Sequence, residues 1–200
     1  MAAFVLAGAM VAAGGGGSAA LSGTAPTGAT DPAAARNVSA RKADGKKAAR
    51  KGQPEEAWRR MGLRQLKRQG EHAVECASRS FGQVRKYFLR TPCRSMDRVL
   101  FGVVDGNGSI AVVSVVWVTM GTRSQSREFR NLIDVHGTGD VTPLAGSALG
   151  LGGVEFTGWH YDSRPTKSTM VIAEAETASG HLSDSMLDAT AEVATYLPRP

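Results

Sequence analysis

The stretch Arg98–Met120, RVLFGVVDGNGSIAVVSVVWVTM, decides the fold. Two β-branched runs flank Asp105-Gly106-Asn107-Gly108, residues that tolerate positive φ, and this pattern predicts a β-hairpin. In the second run Ile110, Val112, Val116 and Val118 alternate with Val113, Val115 and Trp117. Both faces are apolar, so this strand is expected inside a sheet rather than at its edge.

Downstream, Ser124 is placed to cap a helix whose stripe is Phe129, Leu132 and Ile133 and which Gly137 closes. The segment 141–153 is rich in glycine and reads as irregular. Val154–Asp162 and Ser168–Ala178 read as a second hairpin with Pro165 in its loop, and Ser183 then caps a final helix reaching about Tyr196. Upstream, Ser80-Phe81-Gly82-Gln83 fits a capping box for a helix that Pro92 stops near Arg90. Strands and helices interleaved in this way predict an α+β fold. The expected form is a two-layer sandwich, an antiparallel sheet of two hairpins with helices on one face. With His72–Ala77 as a further strand, the order becomes β-α-β-β-α-β, the ferredoxin-like one.

The chain has 200 residues, 42% hydrophobic and 21% charged, enough for one domain plus a tail. This excludes a multi-domain enzyme, a polytopic transporter, a collagen-like chain and a cysteine-rich mini-scaffold. Residues 1–30 carry no charge. Met1–Ala13 matches a signal-peptide hydrophobic region in length and is too short to span a bilayer without the glycines that follow. It is expected to be a signal or membrane anchor, although no basic residue precedes it.

The net charge of +6 is split. Arg36–Arg98 holds 18 Lys/Arg and 6 Asp/Glu, whereas the remainder holds 6 and 12. Residues 31–70 therefore read as a basic, mostly disordered linker, with Pro54–Arg68 able to form a half-amphipathic helix. Weak, salt-sensitive contact with anionic lipid or a wall polymer is expected of such a stretch. Trp58 is its only aromatic residue, so specific nucleic-acid recognition by base stacking has no support. The globular part is expected over 71–200.

Cys76 and Cys93 are the only cysteines. An even number in an exported chain predicts one disulfide; the alternative is two buried thiols in a reducing compartment. A helix beginning at Ser80 leaves Cys76 free to fold back on Cys93. One continuous helix from Glu71 to Leu89 would hold the two cysteines too far apart.

Cys76, the FGQVRKYF run from Phe81, Thr91-Pro92-Cys93, VVSVVWVTM, DVHGTG from Asp134 and FTGWHYDSR from Phe156 together resemble an uncharacterised family of actinobacterial exported or membrane-anchored proteins. The resemblance covers about Cys76–Pro200. It implies an extracytoplasmic domain with a cysteine pair behind an apolar N-terminal segment, and it implies no catalytic residue.

Two candidate acid/base pairs stand out, His136 with Asp134 and His160 with Asp162. The four histidines have no metal-ligand spacing, and no nucleophile elbow, zincin helix or phosphate loop occurs. No cofactor is expected. On the second hairpin, pairing Val154, Phe156 and Gly158 with Val171, Ala173 and Ala175 would leave Trp159 and Tyr161 beside Met170 and Ile172. Glu155, Glu174 and Glu176 would then border that platform, a surface suited to a cationic or aromatic partner. The expected function is a non-catalytic extracytoplasmic binding or accessory domain, tethered at the envelope and meeting a protein or envelope partner. The alternative is a small hydrolase or transferase using His136 or His160.

Overall fold

The computed structural model describes residues 32–200, and the expected signal or anchor segment 1–30 lies outside the described residues. Among the described residues no helix is long and apolar enough to cross a membrane. The chain runs α1 (Pro32–Arg50), α2 (Pro54–Arg60), β1 (Leu63–Ala73), α3 (Gly82–Arg90), β2 (Ser95–Asp105), β3 (Ile110–Thr119), α4 (Arg123–Ile133), β4 (Tyr161–Thr166), β5 (Thr169–Ser179) and α5 (Asp184–Ala194).

The five strands form one antiparallel sheet in the order β1-β2-β3-β5-β4, with β3 in the middle, and the protein is an α+β sandwich. The hairpin over Asp105–Ile110 forms as the sequence predicts. The Asp105 carboxylate accepts the N–H groups of Asn107 and Ser109, each at 2.8 Å, which stiffens the turn.

The alternation along β3 sorts the core. Ala111, Val113, Val115 and Trp117 face Val99, Phe101, Val103, Val171 and Ala173, under α1, α2 and α5. Val116 and Val118 point the other way, with Met96, Met170 and Ile172, onto Val84 and Phe88 of α3 and Phe129 and Ile133 of α4. The helical layer expected on one face is thus joined by α3 and α4 on the other. Leu149, helped by Leu144, Leu151 and Phe156 of the irregular stretch, covers Leu100 and Val112 beside them.

The ferredoxin-like arrangement does not form. That topology runs the first and second strands parallel with the third strand between them, whereas β1 pairs directly and antiparallel with β2 from Leu63↔Asp105 to Ala73↔Met96. The strand expected at His72–Ala77 ends at Ala73 and starts at Leu63, inside the stretch expected to be a helix.

The disordered linker over 31–70 is also corrected: α1, α2 and most of β1 are built from it. Alanine, lysine and arginine are strong helix formers, Pro32 takes the first helical position, and Lys47 and Arg50 sit in the last turn, where the helix dipole favours cations. The buried face of α1 consists of small residues, Gly45, Ala48 and Ala49. At Gly45 an added Cβ would come within 3.0 Å of Met61 and 3.2 Å of Val193, so glycine lets the helix lie close to its neighbours. The basic side chains acquire partners. Lys42 and Lys46 pair with Glu192 of α5, Lys42 at 2.7 Å, and the Arg50 guanidinium lies 4.3 Å from the Tyr196 ring centroid.

The Ser80 capping box does not form either. The Ser80 hydroxyl donates to the Cys76 carbonyl at 2.7 Å, and the helix cap is Phe81. The first N–H groups of α3 find backbone instead: Phe81 donates to the Asp140 carbonyl at 3.0 Å and Gln83 to that of Thr138 at 2.6 Å. This approach needs glycine at Gly82, φ +61°, where a Cβ would sit 2.7 Å from the Thr138 oxygen. The reciprocal box occurs one helix later, between Thr122 and Gln125, rather than at Ser124. Ser183 is the cap residue of α5, but its hydroxyl meets that of Ser185 at 3.2 Å and not a backbone N–H of the first turn.

Cys76 and Cys93 are bridged, with Cα atoms 6.1 Å apart. The early end of the strand at Ala73 and the late start of α3 make this possible, since both cysteines then lie in connections.

Candidate functional site

Two carboxylates on β5 shape the region. Glu174 and Glu176, two residues apart and on one face of the strand, reach the loop ahead of β4. Glu176 accepts the Thr157 N–H at 3.2 Å and the Thr157 hydroxyl, and Glu174 accepts the Gly158 N–H. The chain turns at Gly158, φ +78°. It then presents Trp159, 76% exposed, with its ring against His136 at 5.5 Å between centroids and 30° between planes. Between this loop and the end of α4 opens a cleft of about 330 Å³, lined by Asp134, His136, Asp140, Gly158 and Tyr161, with Phe81 also on its wall.

Asp134 is tied down. Its carboxylate accepts the Tyr161 hydroxyl at 2.9 Å, the Ser163 hydroxyl at 2.6 Å and the Arg130 Nε–H at 3.0 Å. Burial, then the Asp134 charge, pushes the Tyr161 hydroxyl well above the ordinary phenol range. Burial likewise pushes Asp140 up to about 6, against the opposing hydrogen bond from the Val141 N–H. Glu174 is pushed up to about 7, again by burial first, against the bond from Gly158.

Glu174 and Asp140 thus keep their protons in the folded chain over a pH range where the unfolded chain has lost them. Unfolded chains bind fewer protons there, so stability falls as pH rises from about 4.5 to about 7. Glu174 is expected to contribute about 2 kcal/mol to the difference between pH 5 and pH 8. Urea unfolding at those two pH values measures it. Glu174→Gln should remove most of the difference, and an unchanged profile in that variant would assign the effect elsewhere.

The structure separates the residues expected to form one platform. The hairpin turns at Lys167 and Ser168, with Lys167 at φ +57°, and pairs Thr166 with Thr169 and Tyr161 with Glu174. Pro165 lies within β4, where an edge strand tolerates it. Val154, Phe156 and Gly158 therefore do not pair with β5. Met170 and Ile172 are buried in the core beneath α4, and Glu174 is buried as well, so none of the three is a surface residue. Tyr161 and Glu176 are half-buried, while Trp159 and Glu155 are exposed.

Neither expected acid/base pair forms. His136 meets the Trp159 ring while Asp134 is held by Tyr161 and Ser163. His160 pairs through Nδ1 with Asp188 of α5 at 2.8 Å, and Asp162 accepts the Thr195 hydroxyl at 2.9 Å. Ser163 and Asp188 carry no local signal in the sequence, because Ser163 meets Asp134 and Asp188 meets His160 across nearly thirty residues of chain. The density of Asp, His and Gly over 134–140 was the one local signal. Among the described residues no three His, Cys, Asp or Glu side chains gather as a metal site. No family model, curated protein or solved structure matches the chain.

Proposed function

We propose that this chain is a non-catalytic binding domain working outside the cytoplasm, tethered at the envelope, and that Trp159 is its anchor for a partner. The observation that carries the reading is the tryptophan itself. Large exposed apolar side chains usually cost order to hold, yet the backbone N–H groups of Thr157 and Gly158 are pinned to Glu176 and Glu174 and the ring lies against His136 at a tilt of 30°. A preorganised tryptophan beside a cleft is the kind of residue that dominates binding energy at interfaces. The exposed Trp159 ring and the Asp140 carboxylate on the cleft wall favour a partner that offers a cationic group.

The Cys76–Cys93 disulfide supports an oxidising compartment. The resemblance of Cys76–Pro200 to exported actinobacterial proteins agrees with that placement. Fractionation combined with thiol labelling tests it: both cysteines should resist labelling until reduced, and the domain should be open to protease added to intact cells. Trp159→Ala should leave the free energy of unfolding within about 1 kcal/mol, as expected of an exposed position. The wild type is expected to cross-link to envelope components, and Trp159→Ala should abolish that cross-linking. Equal cross-linking by both proteins would refute the role of Trp159.

A further inference from the structure

We propose that the outward face of α3, together with the rim of the disulfide, is a docking surface for an anionic lipid bilayer. This inference is independent of Trp159 and of the cleft beside it. Among the described residues Val74 and Leu89 are the two most open of the large aliphatic side chains, at 67% and 66% exposure. They share the lining of an open cleft of about 390 Å³ with Pro92, Cys93 and Arg85. Arg85 and Lys86 are exposed at helical spacings of four and three from Leu89, Arg90 is exposed at the last residue of α3, and the exposed Arg94 follows the bridge.

The charges around this face do not cancel. Glu75 is the carboxylate among the residues lining the cleft. Glu71, farther along the chain, is taken by Arg79 at 3.0 Å and Arg98 at 2.8 Å. Four cations thus meet one unpaired carboxylate around two bare aliphatic side chains. A soluble polyanion would satisfy the cations and leave Val74 and Leu89 in water. A bilayer surface satisfies both, because its phosphates meet the arginines while the aliphatic groups enter the headgroup boundary. The disulfide ties the segment after β1, which carries Val74, to the segment after α3, so that Val74 and Leu89 line one cleft. That removes the ordering cost a flexible segment would face on binding.

The test must report on this face alone, because residues 1–30 are apolar enough to bind lipid themselves. A tryptophan introduced by Leu89→Trp, in the full chain with Trp159→Phe, is read by quenching with brominated lipids. Trp58 and Trp117 are buried and supply a constant background. With vesicles of phosphatidylcholine and phosphatidylglycerol, quenching of the introduced tryptophan is expected. Adding Arg85→Glu, Lys86→Glu and Arg90→Glu should raise the lipid concentration for half-quenching about a hundredfold, the loss expected for three cations. Pure phosphatidylcholine should do the same. Val74→Asp is a second variant that leaves the helix untouched and should also weaken quenching. Absence of quenching with anionic vesicles, or equal quenching after charge reversal, would overturn the proposal. Full competition by soluble polyphosphate in a Val74→Asp variant that still binds as the wild type does would overturn it as well, by showing a contact of charges only.

Discussion

Trp58→Ala is expected to destabilise the protein by about 3–5 kcal/mol, the usual range for emptying a buried aromatic site. The residue lies in a stretch whose charge suggests a solvated linker, where the same substitution would change stability by less than about 0.5 kcal/mol. In the structure the Trp58 side chain is fully buried beneath α1, with its ring edge against Phe101 at 5.5 Å between centroids. Around it lie Met61, Leu63 and Val103 of the same cluster. The indole N–H has no hydrogen-bond partner, an unfavourable feature of an otherwise apolar site. Trp58→Phe removes that donor while keeping most of the ring, so its effect should be much smaller than that of alanine. Chemical unfolding followed by circular dichroism checks both variants without relying on tryptophan emission. A loss below 1 kcal/mol in Trp58→Ala would mean that α1 and α2 are not part of the folded domain.

Removing the disulfide is expected to cost about 3 kcal/mol. The bridge closes a loop with a sequence separation of 17, and the chain-entropy relation gives that magnitude for a loop of this length. The double variant Cys76→Ala/Cys93→Ala should therefore unfold at lower urea. Its transition should be steeper in denaturant, because an uncrosslinked unfolded chain exposes more surface. Reductant should shift the wild type toward the variant and leave the variant unchanged. An identical midpoint with and without reductant, together with full thiol labelling of the native protein, would show that the bridge contributes nothing. Cys76 is buried beside Val84 and Phe88, so alanine preserves the apolar character of the site better than serine.

The parts of the fold that were legible share one property: their partners are close in sequence. The β2–β3 hairpin needs only the Asp105–Gly108 turn and two β-branched runs, and both runs are apolar on alternate faces because helices cover both sides of the sheet. The central position of β3 follows from the same pattern. The helix α4 shows its stripe directly in Phe129 and Ile133. The second hairpin was recognised, but its register was not. A shift of several residues kept β5 in place and moved the partner strand from 154–162 to Tyr161–Thr166. The turn depends on Lys167 adopting a positive φ, which no glycine or asparagine announces. That shift leaves Trp159 outside the strand, while the packing of α3 and α4 on the same face of the sheet buries Met170 and Ile172.

From the residues alone came the α+β class, the antiparallel hairpins, the possibility of a bridge between Cys76 and Cys93, and the singling out of Trp159. Each rests on periodicity, turn chemistry or covalent reach, which act over a few residues. The tertiary structure decided the rest. It buried the alanine and glycine face of α1, with Met61 and Val193 lying against Gly45. It gave the start of α3 to the backbone of Thr138 and Asp140 instead of to Ser80. It also set His136 on Trp159, and Asp134 on Tyr161 and Ser163, where local spacing had paired the two with each other. Small side chains, backbone donors and carboxylates carry little signal of their own, and their partners are chosen by which distant surfaces the folded sheet brings within hydrogen-bond reach.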